Sequence, residues 1–472
     1  MKTITMKFGG TSVGGPDAIA NVIQIVKDEL GKGNRVVVVV SAMSGVTDML
    51  LRSVRAAADN DRWEFTALSQ KMRDKHEEAI NLLMRPGAER DAVLLEINKL
   101  LDAHFELCTA IQVLRELTPR VLDAAVSFGE RMSSRLVAAA LAEHGVNARA
   151  FEATQFIVTD DTFQAAQPLW EETHQRVNDY LLPVINESVV PVITGFIGTT
   201  RDGVTTTLGR GGSDYSAAIF AALVDSDEFV VWTDVDGVMT TDPRVDSRAR
   251  VLPYISYQEV GELAFYGAKV LHPKTVQPIL DKEIPIFVRN TFNPGFAGTM
   301  IHSEARPSKT VIKAVTSVRN TSMLIVSGKG MLGVPGIAGR TFLASAQAGA
   351  NILMISQSSS EQSFCFTVMD DRAQGVKEAV EAELNEEIQR RNVDGVEILD
   401  EVVIVTVVGA GMRGTPGVAG RVFATLGDNS VNVLAIAQGA SEYSISFSVA
   451  EHDLEKAVTV LHELALETVE AL

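Results

Sequence analysis

The segment Gly328-Lys-Gly-Met-Leu-Gly-Val-Pro-Gly recurs 81 residues later as Gly409-Ala-Gly-Met-Arg-Gly-Thr-Pro-Gly. Between residues 328–347 and 409–428, 10 of 20 aligned positions are identical, and the register holds at Asn351/Asn432, Gln357/Gln438, Ser360/Ser441 and Glu361/Glu442. A repeat of this length is a duplicated structural unit whose copies bury apolar surface together. Each copy reads strand, glycine-rich loop, helix, strand, strand, helix. In the first copy these are Met323–Ser327, a helix from about Pro335, Asn351–Gln357, Phe364–Met369 and a second helix. That order predicts a ferredoxin-like βαββαβ unit.

The two copies differ at their ends. The first has a closing strand at Val396–Leu399, whereas the last helix of the second runs to about Leu466 with almost no chain after it. A spare strand-like run, Val311–Val318, precedes the first copy. A strand from there completes the sheet that the C-terminus cannot, so the two units are expected to be interleaved.

Both copies carry G-x-G-x-x-G after a strand, at Gly328, Gly330, Gly333 and at Gly409, Gly411, Gly414. A dinucleotide-binding reading also needs an acidic residue at the end of the second strand. Gln357 and Gln438 close those strands instead. The glycines are better read as allowing tight turns and close approach, with a helix N-terminus behind them able to receive a small carboxylate.

Residues 1 to about 300 have a different texture. Short Val/Ile-rich runs (Val36–Val40, Val189–Thr194, Phe229–Thr233, Ile284–Val288) alternate with helical patterns, which predicts an α/β sandwich. Glu64–Leu117 is helical and highly charged, an excursion from that core. The predicted domains are 1–305, then a linker strand and first repeat at 306–400, then the second repeat at 401–472.

Composition excludes several partners. With 60 Asp and Glu against 42 Lys and Arg, the net charge of −18 opposes nucleic acid and anionic membrane surfaces. Cys108 and Cys365 fit neither a metal site nor a disulfide framework, as expected of a cytoplasmic protein. No targeting or membrane-spanning segment is visible, the run Val36–Val40 being far too short to span.

No P-loop motif occurs, so a nucleotide must be held differently. Lys7-Phe8-Gly9-Gly10-Thr11-Ser12 ends the first strand, where side-chain-free residues let backbone N–H groups approach phosphate and Lys7 supplies charge; a plain β-turn is the alternative. Thr207-Leu208-Gly209-Arg210-Gly211-Gly212-Ser213-Asp214 joins a guanidinium fork and a carboxylate ahead of a helix from Tyr215, and Arg210 suits a substrate carboxylate. Asp214 and Asp234 could serve a magnesium ion, orient lysines, or act as N-cap and turn residues, and spacing does not decide between these.

These segments, together with Ser41–Thr47, Ser127-Phe128-Gly129-Glu130-Arg131, Thr233-Asp234-Val235-Asp236-Gly237 with Asp242-Pro243-Arg244, and Gly267-Ala268-Lys269-Val270-Leu271-His272-Pro273, resemble aspartate kinases in content and order. The C-terminal pair, roughly residues 320–472, resembles tandem ACT domains. The resemblance implies an amino-acid-kinase fold and transfer of the γ-phosphoryl of ATP to the β-carboxylate of L-aspartate, with Mg2+ accompanying the nucleotide. It places the reaction first on the route to lysine, threonine and methionine.

On that resemblance, Lys7 and Lys269 stabilise the transferring phosphoryl group and Asp214 organises them or the magnesium. Arg210 holds the aspartate α-carboxylate and Glu130 meets its α-ammonium. Ser41, Thr47, Phe196, Gly211, Gly212 and Ser213 complete the substrate pocket. Gly9, Gly10, Thr11, Ser12, Thr233, Asp234, Met239 and Arg244, with the two lysines, face the nucleotide. The sequence departs from the family at Asp48, where Asn is usual, and at Met239, near the adenine, where Tyr is common. His272, beside Lys269, reads as a structural histidine.

ACT domains bind an amino acid between loop and first helix. This implies effector contacts at Gly333, Ile337, Ala338, Asn351 and Gln357 in the first copy and at Gly414, Val418, Ala419, Asn432 and Gln438 in the second. The strand-end glutamines resemble threonine-sensitive members more than lysine-sensitive ones. Pairing of ACT modules implies a homodimer or larger assembly, and the end of the chain at Leu472 leaves no room for a fused dehydrogenase, implying one enzymatic function. Two rivals are a kinase acting on glutamate or acetylglutamate, against which Arg210 with Glu130 points to a free α-amino acid, and a catalytically silent amino-acid-binding regulator, against which Lys7, Asp214 and Lys269 stand.

Overall fold

Five consecutive valines in Arg35–Val40 form a strand buried along nearly its whole length, as a central strand of a parallel sheet requires. In the computed structural model it is β2 of an eight-stranded sheet. The other strands are β1 (Thr3–Phe8), β3 (Ala148–Phe151), β4 (Val190–Thr194), β7 (Glu228–Thr233), β8 (Tyr254–Ser256), β9 (Ile286–Asn290) and β10 (Thr299–His302), in the order β3-β4-β2-β1-β7-β9-β10-β8. Strands β3, β4, β2, β1, β7 and β9 all pair in parallel, so the loops that follow β1, β2, β4 and β7 leave one edge of the sheet. Ligands of open α/β sheets gather at that edge. A short hairpin of β5 (Ile197–Thr199) and β6 (Thr205–Thr207) extends from it.

The structure describes residues 1–266, 271, 273–304, 310–332, 334–358, 362–439 and 442–466. Two compact units divide the chain without being contiguous in sequence: Met1–Val238, Pro253–Tyr257 and Val270–Glu304 form the first, and Met239–Leu252, Gln258–Lys269 and Ala305–Leu472 the second. In the first, helix α1 (Pro16–Gly31) starts on a proline and packs on β2, while α5 (Pro119–Glu143) lies against β3 and β4. The charged excursion forms α3 (Arg62–Leu83) and α4 (Ala88–Leu114), packed with α2 (Val46–Ala58) and α5 around buried His76, His104 and Cys108. Helices α6 (Trp170–Arg176), α7 (Leu182–Asn186), α8 (Gly212–Leu223) and α10 (Pro273–Leu280) complete this unit. Helix α9 (Tyr257–Phe265) carries the chain out of it.

The second unit is built on one six-stranded antiparallel sheet, order β12-β13-β11-β14-β16-β15. Strands β11 (Ala314–Ser327) and β14 (Gly395–Val408) each serve both repeats. Met323–Ser327 pairs with Gly395–Leu399 in the first, and Ala314–Val318 pairs with Ile404–Val408 in the second. The strand ahead of the first copy thus closes the second, as its missing last strand demanded. The first repeat adds α11 (Ile337–Gln347), β12 (Met354–Gln357), β13 (Ser363–Met369), α12 (Asp370–Glu383) and α13 (Asn385–Gln389). The second adds α14 (Val418–Asp428), β15 (Ala435–Ala437), β16 (Ser444–Ala450) and α15 (Leu454–Leu466). Strand β12 begins at Met354, so Asn351 lies in the extended link before it rather than in the ladder.

Duplication extends to backbone conformation. The bulges that let β11 and β14 change partners sit at Asn320 (φ 57°) and Glu401 (φ 54°), and the helix caps sit at Gly336 (φ 92°) and Gly417 (φ 84°), each pair 81 residues apart. A Cβ on Gly328 would lie 2.2 Å from the Asn392 carbonyl oxygen, and one on Gly409 would lie 2.2 Å from that of Val311. These glycines are therefore required by the close passage of the segments that lead into the shared strands, Asn392 ahead of β14 and Val311 ahead of β11, which gives them a steric reason apart from any dinucleotide.

Two segments from within the predicted first domain, 1–305, are bound into this unit by buried polar groups. Lys313 Nζ lies 3.0 Å from Glu259, whose other oxygen accepts from the Ala410 N–H at 2.6 Å. Buried His462, on α15, stands 2.8 Å from Asp246 through Nδ1 and 2.8 Å from Thr240 Oγ1 through Nε2. Among the described residues no helix is long and apolar enough to cross a membrane.

Candidate active site

At the C-terminal edge of the parallel sheet, a cavity of about 970 Å³ is lined by residues from the loops after β1, β2, β4 and β6 and from α5 and α8. Close packing of these loops explains several glycines. A Cβ on Gly129, within α5, would stand 2.7 Å from the Ala42 Cβ, and one on Gly212 would stand 2.6 Å from the Phe196 ring. Phe196 itself takes a left-handed backbone conformation, φ 69°, which costs free energy for a side-chain-bearing residue.

Lys7, Glu130 and Asp214 are among the charged residues that line the cavity. Lys7, at the end of β1, and Asp214, in the first turn of α8, form an ion pair of 2.6 Å with little of either side chain exposed. The helix N-terminus favours the carboxylate there, and the carboxylate fixes the ammonium. Glu130 is buried in α5 with one oxygen accepting from the Ala42 N–H at 3.2 Å and the other lacking a hydrogen-bond partner. Burial pushes its pKa up to about 8, against the opposing pull of the Ala42 amide and the Lys7 charge. A buried carboxylate oxygen without a donor, lining a cavity, is a receptor for a cation.

Of the residues expected at the site, Lys7, Gly10, Ser41, Thr47, Glu130, Phe196, Arg210, Gly211, Gly212, Ser213 and Asp214 line this one cavity. Arg210 is exposed at it. Gly9 donates to the Trp232 carbonyl, and Ser12 is fully buried, its hydroxyl 3.2 Å from the same carbonyl and accepting from Thr291 at 2.7 Å. Ser12 therefore braces the loop, while Thr11 is exposed on it. Thr233 ends β7, the strand beside β1, and Asp234 follows it. Met239 and Arg244 belong to the second unit, where Arg244 makes a fork with Asp242. Lys269, His272 and Gly333 lie outside the described residues.

Asp48, Asp123, Gln164 and Thr207 also line the cavity. The sequence marks Asp123 only by its spacing, seven residues before Glu130 and so two turns along the same helix face, which does not indicate its partners.

The first repeat holds a second cavity, about 350 Å³, lined by Met331, Val334, Pro335, Gly336, Ile337, Ala338, Gln357 and Phe364. Three of the expected effector contacts, Ile337, Ala338 and Gln357, meet there; Asn351 is not among its lining residues. In the second repeat Val418 is buried and Ala419 half-buried, while Asn432 and Gln438 are exposed. The Gly414 N–H is taken by Glu442 at 2.7 Å.

Residues 2–290 match the amino acid kinase family, and residues 324–384 and 405–464 match the ACT domain. Aspartokinase 2, chloroplastic, of Arabidopsis thaliana is 34% identical over 99% of this chain and 85% of its own. The bifunctional aspartokinase/homoserine dehydrogenase 1 of the same plant is 36% identical over 97% of this chain. The chain spans about half the length of that relative. Aspartokinase III of E. coli, solved with aspartate and ADP in the R-state, superposes with a TM-score of 0.82 at 31% identity, covering 99% of this chain and 100% of that one. The same enzyme with lysine and aspartate, in the T-state, gives a TM-score of 0.80.

Proposed function

The chain belongs to the aspartokinases of the amino acid kinase family, and from that premise we propose that it transfers the γ-phosphoryl group of ATP to the β-carboxylate of L-aspartate, yielding ADP and 4-phospho-L-aspartate. The observation that carries this reading is the buried Glu130 oxygen facing the same cavity as Arg210 and the Lys7–Asp214 pair. Glu130 takes the α-ammonium, Arg210 the α-carboxylate, and the β-carboxylate then points toward Lys7. The nucleophile is already ionised, so positioning and charge neutralisation do the work. Thr47, Ser41 and Ser213 bound the pocket; Lys269, Thr233, Asp234, Met239 and Arg244 are proposed on the nucleotide side.

Among the described residues no group of three His, Cys, Asp or Glu stands within metal-ligating reach. Magnesium would accompany the ATP phosphates, and Asp214 and Asp234 are the carboxylates that could help to hold it. ADP release measured with aspartate, glutamate and N-acetylglutamate tests the assignment. Aspartate alone should support turnover, and turnover with N-acetylglutamate would refute the role given to Glu130.

Feedback control by an amino acid is proposed at the first-repeat cavity, with threonine favoured over lysine. None of its described lining residues carries a charge that would pair with a lysine ε-ammonium, whereas Gln357 can hydrogen-bond a hydroxyl. Threonine should inhibit, Gln357→Ala should relieve it, and inhibition by lysine alone would reject this choice. A cytoplasmic homodimer fits the free thiols and the exposed Ile355 and Ile436 on the two edge strands of the six-stranded sheet.

A further inference from the structure

Helix α5 presents a second buried carboxylate to the cavity besides Glu130. Asp123 is 1% exposed and lies seven residues earlier on the same helix. Its Oδ2 accepts from the backbone N–H groups of Gln164 and Thr207, each at 2.9 Å, and its Oδ1 accepts from Thr207 Oγ1 at 2.7 Å. All three bonds go to Gln164, in one loop, and to Thr207, the last residue of β6 before the Arg210 loop, and both residues line the cavity.

Those loops are held in tight and strained register. Gln164 has φ 69°, a left-handed conformation that its Cβ disfavours. A Cβ on Gly209 would stand 2.8 Å from the Gln164 carbonyl oxygen, so the two loops touch backbone to backbone just before Arg210. Thr207 pairs with Ile197 in the small hairpin, and Leu208 donates to the Phe196 carbonyl at 2.9 Å, carrying the same constraint to Phe196. A carboxylate shared by two backbone donors and a hydroxyl fixes such a junction more firmly than neutral hydrogen bonds do.

We propose that Asp123 is a positioning residue for substrate recognition: by tying Thr207 and Gln164 to α5, it sets where Arg210 stands relative to Glu130, two turns along the same helix. The spacing between the groups that read the α-carboxylate and the α-ammonium is then fixed by one rigid element. This inference rests on the reading of the cavity as the aspartate site.

The test compares Asp123→Asn, Thr207→Val and Thr207→Ser with the parent chain in aspartate-dependent ADP release, with thermal unfolding of each as a folding control. Asp123→Asn should raise the KM for aspartate about 10- to 100-fold while kcat and the KM for ATP stay within about threefold. Thr207→Val, which removes one of the three bonds, should raise the same KM about fivefold, and Thr207→Ser should restore it. If Asp123→Asn fails to fold, the Thr207 pair decides. A KM for aspartate unchanged in Thr207→Val, or a fall in kcat with both KM values rising together, overturns the proposal. A parent chain inactive with aspartate would instead overturn the assignment of the substrate.

Discussion

A buried carboxylate with one oxygen on the Ala42 amide and the other unpaired can lower its free energy by taking up a proton or a cation. For Glu130 the two compete. With its pKa near 8, and with Glu130 receiving the α-ammonium as proposed, aspartate binding would release a proton below that pH. The KM for aspartate should therefore fall about tenfold per pH unit from pH 6 to 8 and level off above. Glu130→Gln should flatten that profile and raise the KM; a KM flat from pH 6 to 8 in the parent would disprove the role. His76 and His104 are buried with pKa values pushed down to about 4, mainly by desolvation. Below pH 6.5 the unfolded chain binds protons that these folded histidines refuse. Each should cost up to about 1.4 kcal/mol per pH unit between 6.5 and 4, read as a falling denaturation midpoint. Glu130 acts oppositely, favouring the fold below pH 4.5 and losing that contribution as pH rises through 8, so His76→Phe and His104→Phe are needed to isolate the effect. The residues that line the cavity were legible in sequence because most of them cluster in short strings. Asp123 was not, because its partners, Gln164 and Thr207, lie 41 and 84 residues away.

At the scale of elements, the repeat was readable before any coordinates, including the strand that one copy lends the other. Sequence also read Gly328 and Gly409 as positions of close approach, and the structure identifies what approaches: a backbone carbonyl of the segment entering a shared strand, Asn392 ahead of β14 and Val311 ahead of β11, at a distance no Cβ allows. Gly328→Ala and Gly409→Ala should each destabilise the second unit by about 3 kcal/mol or more, since backbone rather than a flexible side chain blocks the methyl group. Gly339→Ala, where an added Cβ meets nothing within 4 Å, should be neutral or slightly stabilising on its helix. Thermal unfolding of the three variants checks this, and equal midpoints for Gly328→Ala and Gly339→Ala would refute the steric account.

Across the whole molecule, periodicity suggested a cut near residue 305, but segments 239–252 and 258–269 are compact with the C-terminal repeats. Single residues commit them there: Glu259 to Lys313 and Ala410, Asp246 and Thr240 to His462. Such long-range polar ties leave no local pattern. His462→Ala should leave Thr240 and one Asp246 bond unmade and cost about 1–3 kcal/mol, lowering the midpoint of the second unit's unfolding. An aspartokinase is defined most directly by the chemistry of its acyl phosphate product. Incubating the chain with ATP, L-aspartate and hydroxylamine should give ADP and aspartyl β-hydroxamate in equal amounts, with none formed when N-acetylglutamate replaces aspartate; ADP release without hydroxamate, or no ADP release at all, would contradict it.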